Sequence, residues 1–221
     1  MDEHLLGEAL KAASDTGWLV VEPGARRAAA KVFETAFGSV PAIVVADENT
    51  FAAAGRDVED SFRATDHSHQ APFVFGPNVY ANYDCILELE AALKQTDAVP
   101  VAVGSGTIND LTKLAAHRIG RPYMVAGTAA SMDGYTAYGA SITYKGSKQT
   151  FECAAPVAVV ADLDVMAAAP SGMNASGYAD LLAKVPAGAD WILAGAAGEE
   201  PIDRKAWEAV QGRLRAWLGD P

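Results

Sequence analysis

The chain has 221 residues, 50% of them hydrophobic and 20% charged, a composition that supports a sizeable packed core and excludes a disordered polymer. Lys and Arg number 17 against 28 Asp and Glu, for a formal net charge of -11. That excludes a surface built to neutralise nucleic-acid phosphates or to coat an anionic membrane, so any anionic ligand must be held locally. No run approaches the ~18 apolar residues of a membrane span, and the opening Met1-Asp2-Glu3-His4 lacks the basic flank of a signal peptide, which predicts a cytoplasmic protein.

Taken in chain order, residues 25–37 have helical spacing, and residues 41–46 form a short β-branched run, apolar on both faces. Such a run is what a parallel strand covered by helices requires. Residues 73–75, 99–103, 122–126 and 156–160 repeat the strand pattern, and helix candidates at 82–94 and 107–119 lie between them. Alternation of this kind predicts a doubly wound α/β domain with a parallel sheet. Residues 140–151 break the rhythm: β-formers flank a Lys145-Gly146-Ser147-Lys148 turn, which predicts a hairpin projecting from the sheet. After Pro170 the character changes to two Ala-, Leu- and Trp-rich helical stretches, 173–193 and 202–218. Two helices are too few to close a core of their own. The chain therefore divides into an α/β domain at 1–168 and an incomplete helical domain at 169–221, which must dock on the first, pair with another subunit or belong to a longer protein. Trp191, Trp207 and Trp217 are core aromatics that need such a partner, so a homo-oligomer is expected. Cys85 and Cys153 match no CxxC or zinc-knuckle spacing and read as two buried thiols.

The most informative segment is Val103-Gly104-Ser105-Gly106-Thr107-Ile108-Asn109-Asp110-Leu111-Thr112-Lys113. A strand runs through two glycines into a helix, which turns backbone amides outward where the helix dipole favours an anion, with Thr107 as a cap. It lacks the third glycine of the dinucleotide fingerprint, since Asn109 stands there, and the Gly-Lys-Ser/Thr ending of a P-loop. A tight turn with no ligand is the alternative. One strand later, Gly127-Thr128-Ala129-Ala130-Ser131-Met132-Asp133-Gly134 gathers small residues and hydroxyls at a strand's C-terminal end, where open α/β sheets bind ligands. Asp133 reads either as a ligand-hydroxyl acceptor or as a turn cap. Asp47, just past the strand at 41–46, is placed to accept from a ribose hydroxyl or to cap the helix that follows. His67-x-His69 puts two imidazoles on one side of an extended segment, yet its polar surroundings favour a solvated loop, and His117 reads as a surface or capping residue.

The order Ala46-Asp47-Glu48-Asn49-Thr50, the glycine turn through Lys113, Thr128-Ala129-Ala130-Ser131-Met132-Asp133-Gly134 and Gly177-Tyr178-Ala179-Asp180-Leu181-Leu182-Ala183-Lys184 resembles the sn-glycerol-1-phosphate dehydrogenases. These belong to the superfamily of glycerol dehydrogenases, iron-containing alcohol dehydrogenases and dehydroquinate synthases, and the Thr-Ala-Ala-Ser-Met-Asp-Gly run is similar to the bacterial branch. The resemblance implies a Rossmann-like domain followed by a helical one. It implies that Gly104, Ser105, Gly106 and Thr107, with Asp110 in the same motif, bind the pyrophosphate of NAD(H) or NADP(H), and that Thr128 and Ser131 line its nicotinamide half. Asp133 would hydrogen-bond the substrate, and Asp180 would ligate a catalytic divalent metal, zinc or nickel, and touch the substrate. The implied reaction is reduction of a phosphorylated triose, dihydroxyacetone phosphate, to sn-glycerol 1-phosphate.

Three positions depart from the family pattern. Ala137 replaces a cofactor-contacting serine, Ala179 replaces a glycine, and the only histidines, His4, His67, His69 and His117, all precede Asp180, whereas the family's two metal-binding histidines follow it. The chain by itself is therefore expected to bind NAD(H) and to be weak or inactive in catalysis. A glycerol or polyol dehydrogenase, or a non-catalytic NAD-binding module, is the alternative. Asp47 favours NAD(H), because a carboxylate repels a 2′-phosphate.

Overall fold

A computed structural model describes residues 3–219. These form two compact units: one runs to Ala130 and resumes over Gly134–Ala169, and the other comprises Ser131–Asp133 and the chain from Pro170.

In the first unit, α1 (Glu3–Ala12) leads to β1 (Trp18–Glu22), a 3-10 turn (Ala25–Ala28), α2 (Ala29–Phe37) and β2 (Ala42–Asp47). A short α3 (Glu48–Thr50) passes through a π-helical turn (Phe51–Gly55) into α4 (Arg56–Ala64), followed by β3 (Phe73–Phe75), α5 (Tyr83–Leu93), β4 (Val99–Gly104) and α6 (Gly106–Arg118). Then come β5 (Met124–Gly127), a hairpin of β6 (Ala140–Tyr144) and β7 (Ser147–Phe151), β8 (Ala158–Asp162) and α7 (Leu163–Ala168). Six strands make one parallel sheet in the order β1-β8-β5-β4-β2-β3.

The period-two pleat explains why the strands are apolar throughout. Ile43, Val45, Ala102, Val125 and Val159 face a core completed by Ile86, Leu89, Ile108 and Leu111 of α5 and α6. The alternate residues Val44, Val101, Val103, Met124 and Val160 face Phe33, Val58 and Phe62 of α2 and α4. The doubly wound architecture is therefore present.

Boundaries moved for local reasons. Strands expected at 122–126 and 156–160 begin two residues later, at Met124 and Ala158. Residues 25–37 split into a 3-10 turn and α2, because Gly24 enters at φ 76° and its N–H and that of Arg26 are drawn to the Asp162 carboxylate. The hairpin turn is tighter than expected: Lys145 and Gly146 carry positive φ (50° and 80°), and Tyr144 pairs with Ser147, so Ser147 and Lys148 belong to β7. β1 and α4 had no clear signal. The first is a half-buried edge strand, and the second buries Val58 and Phe62 from a mostly charged segment.

In the second unit α8 (Ser171–Ala197) carries Pro186 in its interior and is followed by α9 (Arg204–Leu218), capped by the Asp203 carboxylate on the Lys205 and Ala206 amides. A proline inside a helix removes one amide and crowds the preceding turn. Separately, the Gln211 side-chain amide of α9 donates to the Lys184 carbonyl of α8 at 2.8 Å. Trp191 and Trp207 pack at 6.0 Å between ring centroids, while Leu182, Val185, Ile192 and Leu193 are exposed. Both cysteines are free; Cys153 is buried, which pushes its thiol up to about 11, and Cys85 is half-buried. Among the described residues no helix is long and apolar enough to cross a membrane.

Candidate functional site

Connections leaving β2 and β4 diverge: the chain after β2 crosses the face lined by α4, while that after β4 enters α6 on the opposite face. At such a point a crevice opens beyond the strand C-termini, the usual ligand position in open α/β sheets. Val45 pairs with Ala102, so Asp47 and Gly104, each two residues further on, sit side by side at this edge. Gly127 ends β5 and pairs with Gly104.

The turn after β4 is built by exclusion of side-chain atoms. A Cβ on Gly104 would lie 2.5 Å from the Ile108 Cβ, so only glycine lets α6 follow the strand so closely. Ser105 is the N-cap, with extended backbone (φ -99°, ψ -151°) and no side-chain capping bond. Thr107 is thus not the cap expected from sequence; the helix starts one residue earlier, at Gly106. The first-turn amides of a helix have no intrahelical partner, and Ser105 does not occupy them. An anion is well matched to that vacant set of donors.

Around this turn, Thr128 is buried and its N–H donates to the Gly104 carbonyl at 3.2 Å. Tyr135, which sequence reasoning did not single out, donates its hydroxyl to the Ala129 carbonyl at 2.7 Å. Burial pushes that phenol up to about 12, against the pull of backbone hydrogen bonds. Its ring lies against Gly127, where an added Cβ would come within 3.1 Å of Tyr135 Cζ. The available signal was an aromatic residue following a run of small ones. Asp47 forms a capping box: its Oδ1 accepts from the Thr50 N–H at 2.8 Å, and its own N–H donates to the Thr50 hydroxyl. The helix-capping alternative is therefore realised, with the carboxylate still at the sheet edge.

Asp110 does not join this group by side-chain hydrogen bonding. Its carboxylate accepts from the Ser141 N–H at 3.0 Å and stands 3.9 Å from the Lys113 ammonium. Lys113 donates to the carbonyls of Ala137 and Gly139 at 2.8 and 3.0 Å. The pair ties α6 to the hairpin. Burial raises the Asp110 pKa and lowers that of Lys113, in each case against the attraction of the other charge. Lys113→Met strips the donor from both carbonyls, one of the bonds being fully buried, and should lower stability by about 2 kcal/mol. Urea denaturation checks this, and faster amide exchange in β6 should accompany it.

The second unit holds a charged cluster. Residues 180 and 184 lie one turn apart on α8. Asp180 Oδ2 accepts from the Asp133 N–H at 2.9 Å. The Lys184 ammonium stands 2.8 Å from Asp133 Oδ2 and 3.6 Å from Asp180 Oδ1. The Asp133 amide first, then Lys184, hold the Asp180 carboxyl below its usual range against the opposing effect of burial. Ser131 is half-buried in the same short segment as Asp133. In the sequence Lys184 is marked only by its i,i+4 spacing from Asp180.

This donor set does not fit a zinc or nickel centre. Among the described residues no group of three or more His, Cys, Asp or Glu is placed to hold a metal ion, and catalytic zinc takes three protein ligands. The Asp180 carboxylate is engaged by an amide and an ammonium instead. His67 and His69 do not chelate: His67 Nε2 meets the Val40 carbonyl at 3.0 Å, and the His67 ring packs edge-on to Phe33. His69 Nδ1 meets the His67 carbonyl. His117 is exposed on the last turn of α6. A depression of about 330 Å³ near it, lined by Asp15, Lys113, Arg121 and Tyr123 among others, opens by the residues that precede β5 and β8, at the opposite edge of the sheet from Gly104. There the Arg121 guanidinium is taken up by the carbonyls of Leu93, Thr96 and Ala98.

Residues 20–170 match the iron-containing alcohol dehydrogenase family. The chain is similar to the glycerol-1-phosphate dehydrogenase (NAD(P)+) of Bacillus subtilis (strain 168), 36% identical over 181 residues that make up 80% of this chain and 45% of that protein. Among solved structures it resembles glycerol dehydrogenase from Schizosaccharomyces pombe, with a TM-score of 0.64, 22% identity and coverage of 77% of this chain and 43% of the other. It also resembles sulfoacetaldehyde reductase from Bifidobacterium kashiwanohense, solved in complex with NAD+, with a TM-score of 0.61, 14% identity and coverage of 77% and 50%. At those identities the structural likeness speaks for the fold. The chain spans less than half the length of the curated relative it matches. With more than half of its residues inside the family match, the chain belongs to the iron-containing alcohol dehydrogenase family.

Proposed function

We propose that this chain forms the cofactor-binding part of an NAD(P)-dependent sn-glycerol-1-phosphate dehydrogenase, which interconverts dihydroxyacetone phosphate and sn-glycerol 1-phosphate. The observation that carries the reading is the β4–α6 turn. Its bare Gly104, its uncapped helix N-terminus at Gly106 and its place beside Asp47 at the diverging strand ends suit a dinucleotide diphosphate, and the chain that carries them is 36% identical over 181 residues to an enzyme of that name.

In this reading the amides of Gly106 and Thr107, with Ser105, hold the pyrophosphate, and the missing side chain at Gly104 keeps them in reach. Asp47 accepts from a ribose hydroxyl. A carboxylate has room for several hydrogen bonds, so the capping bond to Thr50 does not exhaust it, and its charge favours NAD(H) over NADP(H). The family resemblance assigns Thr128 and Ser131 to the nicotinamide half. The nicotinamide, when bound, supplies or accepts the hydride. Asp133 orients the substrate hydroxyls.

Titration calorimetry of the 221-residue chain with NADH and with NADPH tests the reading. Saturable NADH binding, tighter than NADPH, is the expected result. Absence of binding by either nucleotide at millimolar concentration removes the proposal. For the protein at its relatives' full length, oxidation of NADH on addition of dihydroxyacetone phosphate, and not of unphosphorylated dihydroxyacetone, separates this reading from a glycerol dehydrogenase.

A further inference from the structure

Two carboxylates one amide apart repel each other unless a cation stands between them. In the second unit that cation is a side chain. The Lys184 ammonium is 2.8 Å from Asp133 Oδ2 and 3.6 Å from Asp180 Oδ1, while the other Asp180 oxygen is held by the Asp133 N–H at 2.9 Å. Three of the four carboxylate oxygens are thereby engaged from within the chain. The i,i+4 order, acid before base along α8, is the favourable one for a helix pair. The backbone beneath the ammonium is held as well, because the Lys184 carbonyl accepts from Gln211 of α9 at 2.8 Å.

We propose that Lys184 is the built-in counter-cation of the Asp133–Asp180 pair, its ammonium filling the position a divalent ion would need, so that such an ion binds there only by displacing it. Without the ammonium the two carboxylates form a hard, doubly negative oxygen pair, the donor type that suits Mg²⁺ or Mn²⁺. With it, the pair carries a single negative charge and a divalent ion meets a positive neighbour. Lys184 is in this sense a positioning residue: it fixes the Asp133 side chain through the 2.8 Å contact without a metal. The inference concerns the charge balance of the cluster and does not depend on the dehydrogenase reading.

The test is Mn²⁺ binding to the full chain, followed by the loss of the free-ion electron paramagnetic resonance signal at low ionic strength. Wild type should show no stoichiometric Mn²⁺ binding. Lys184→Met should bind about tenfold more tightly, the scale set by removing one repelling charge at contact distance in a mostly aqueous setting. Asp180→Asn placed on top of Lys184→Met should abolish the gain. Far-UV circular dichroism verifies folding, and Lys184→Gln replaces the methionine variant if that one fails to fold. Stoichiometric Mn²⁺ or Zn²⁺ on wild type overturns the inference, as does unchanged Mn²⁺ affinity in a folded Lys184 variant. NADH titrated in parallel keeps the outcomes apart, since failure of every form to bind nucleotide counts against the dehydrogenase reading alone.

Discussion

Gly104→Ala should lower stability by about 2 kcal/mol and weaken NADH binding at least tenfold. The added Cβ would lie 2.5 Å from Ile108 Cβ, 2.8 Å from Cγ1 and 3.1 Å from Cγ2. The closest of these atoms is a Cβ fixed to the helix backbone, so no rotamer change relieves it and α6 must shift away from β4. Ile108 is 1% exposed, in the same core cluster as Leu111 and Leu114, and overpacking a site of that kind costs roughly 1–3 kcal/mol. The shift also carries the first-turn amides away from where a diphosphate would sit, and hydrogen-bond donors displaced by a few tenths of an ångström no longer converge. The double variant Gly104→Ala/Ile108→Ala should not recover, since alanine keeps the offending Cβ and adds a cavity. Ser105→Ala provides the contrast: its side chain makes no capping bond, so stability should change by less than about 0.5 kcal/mol. Urea denaturation and NADH fluorescence titration read both quantities. A Gly104→Ala protein with wild-type stability and affinity would show that the turn has room to spare and holds no diphosphate.

The parallel sheet was legible because burial on both faces leaves its mark in consecutive apolar residues: Ala42 to Ala46 supply both cores in alternation. The β4–α6 turn was legible as a close strand-to-helix connection, since two glycines between an apolar strand and a helical stretch mark a tight turn. Edge strand β1 was not, because its residues are half-buried and its neighbour on one side only is β8, more than a hundred residues away in sequence. Side-chain direction was the other blind spot. Asp110 belongs to the glycine motif by position, but the Ser141 amide and the Lys113 charge turn it toward the hairpin. Whether Asp47 capped a helix depended on Thr50 presenting both its N–H and its hydroxyl. Lys184 passed unnoticed because a lysine four residues after an aspartate on a helix is ordinarily a solvated pair. What marks it out is Asp133, which is 47 residues upstream of Asp180 and meets the cluster only in the folded chain.

The largest single loss of stability is expected at Asp162, at the end of β8. Its Oδ1 accepts from the N–H groups of Gly24 and Asp164, and its Oδ2 accepts from the N–H and the guanidinium of Arg26. Arg26 also reaches Asp57 at the start of α4. One carboxylate, 2% exposed, thus joins the end of the sheet, the turn after β1 and, through Arg26, the helix on that face. Asp162→Asn replaces one acceptor oxygen by a donor that must confront either the Arg26 side or the Gly24 and Asp164 amides. Breaking a buried, hydrogen-bonded ion pair from one side costs about 3 kcal/mol, and that is the expected loss at pH 7. Arg26→Met should cost less, about 1–2 kcal/mol, because three backbone donors still satisfy the carboxylate. The pH dependence follows from the direction of the shift. Burial acts to raise the Asp162 pKa, but the Arg26 guanidinium and the three backbone amides outweigh it, and the folded-state value lies below the ordinary one. A carboxyl depressed on folding contributes fully above its unfolded pKa of about 4, and that contribution disappears as pH falls through the folded value. The gap between wild type and Asp162→Asn should therefore stay constant from about pH 5 to 8 and close below about pH 4. Glu90, held low first by Lys94 and then by Arg118, gives the wild type an acid sensitivity of its own. For that reason the measured quantity is the difference between the two proteins in denaturant midpoints at each pH, where the Glu90 contribution cancels. A gap that persists or widens toward acid would mean that the Asp162 carboxylate is not what secures the turn after β1.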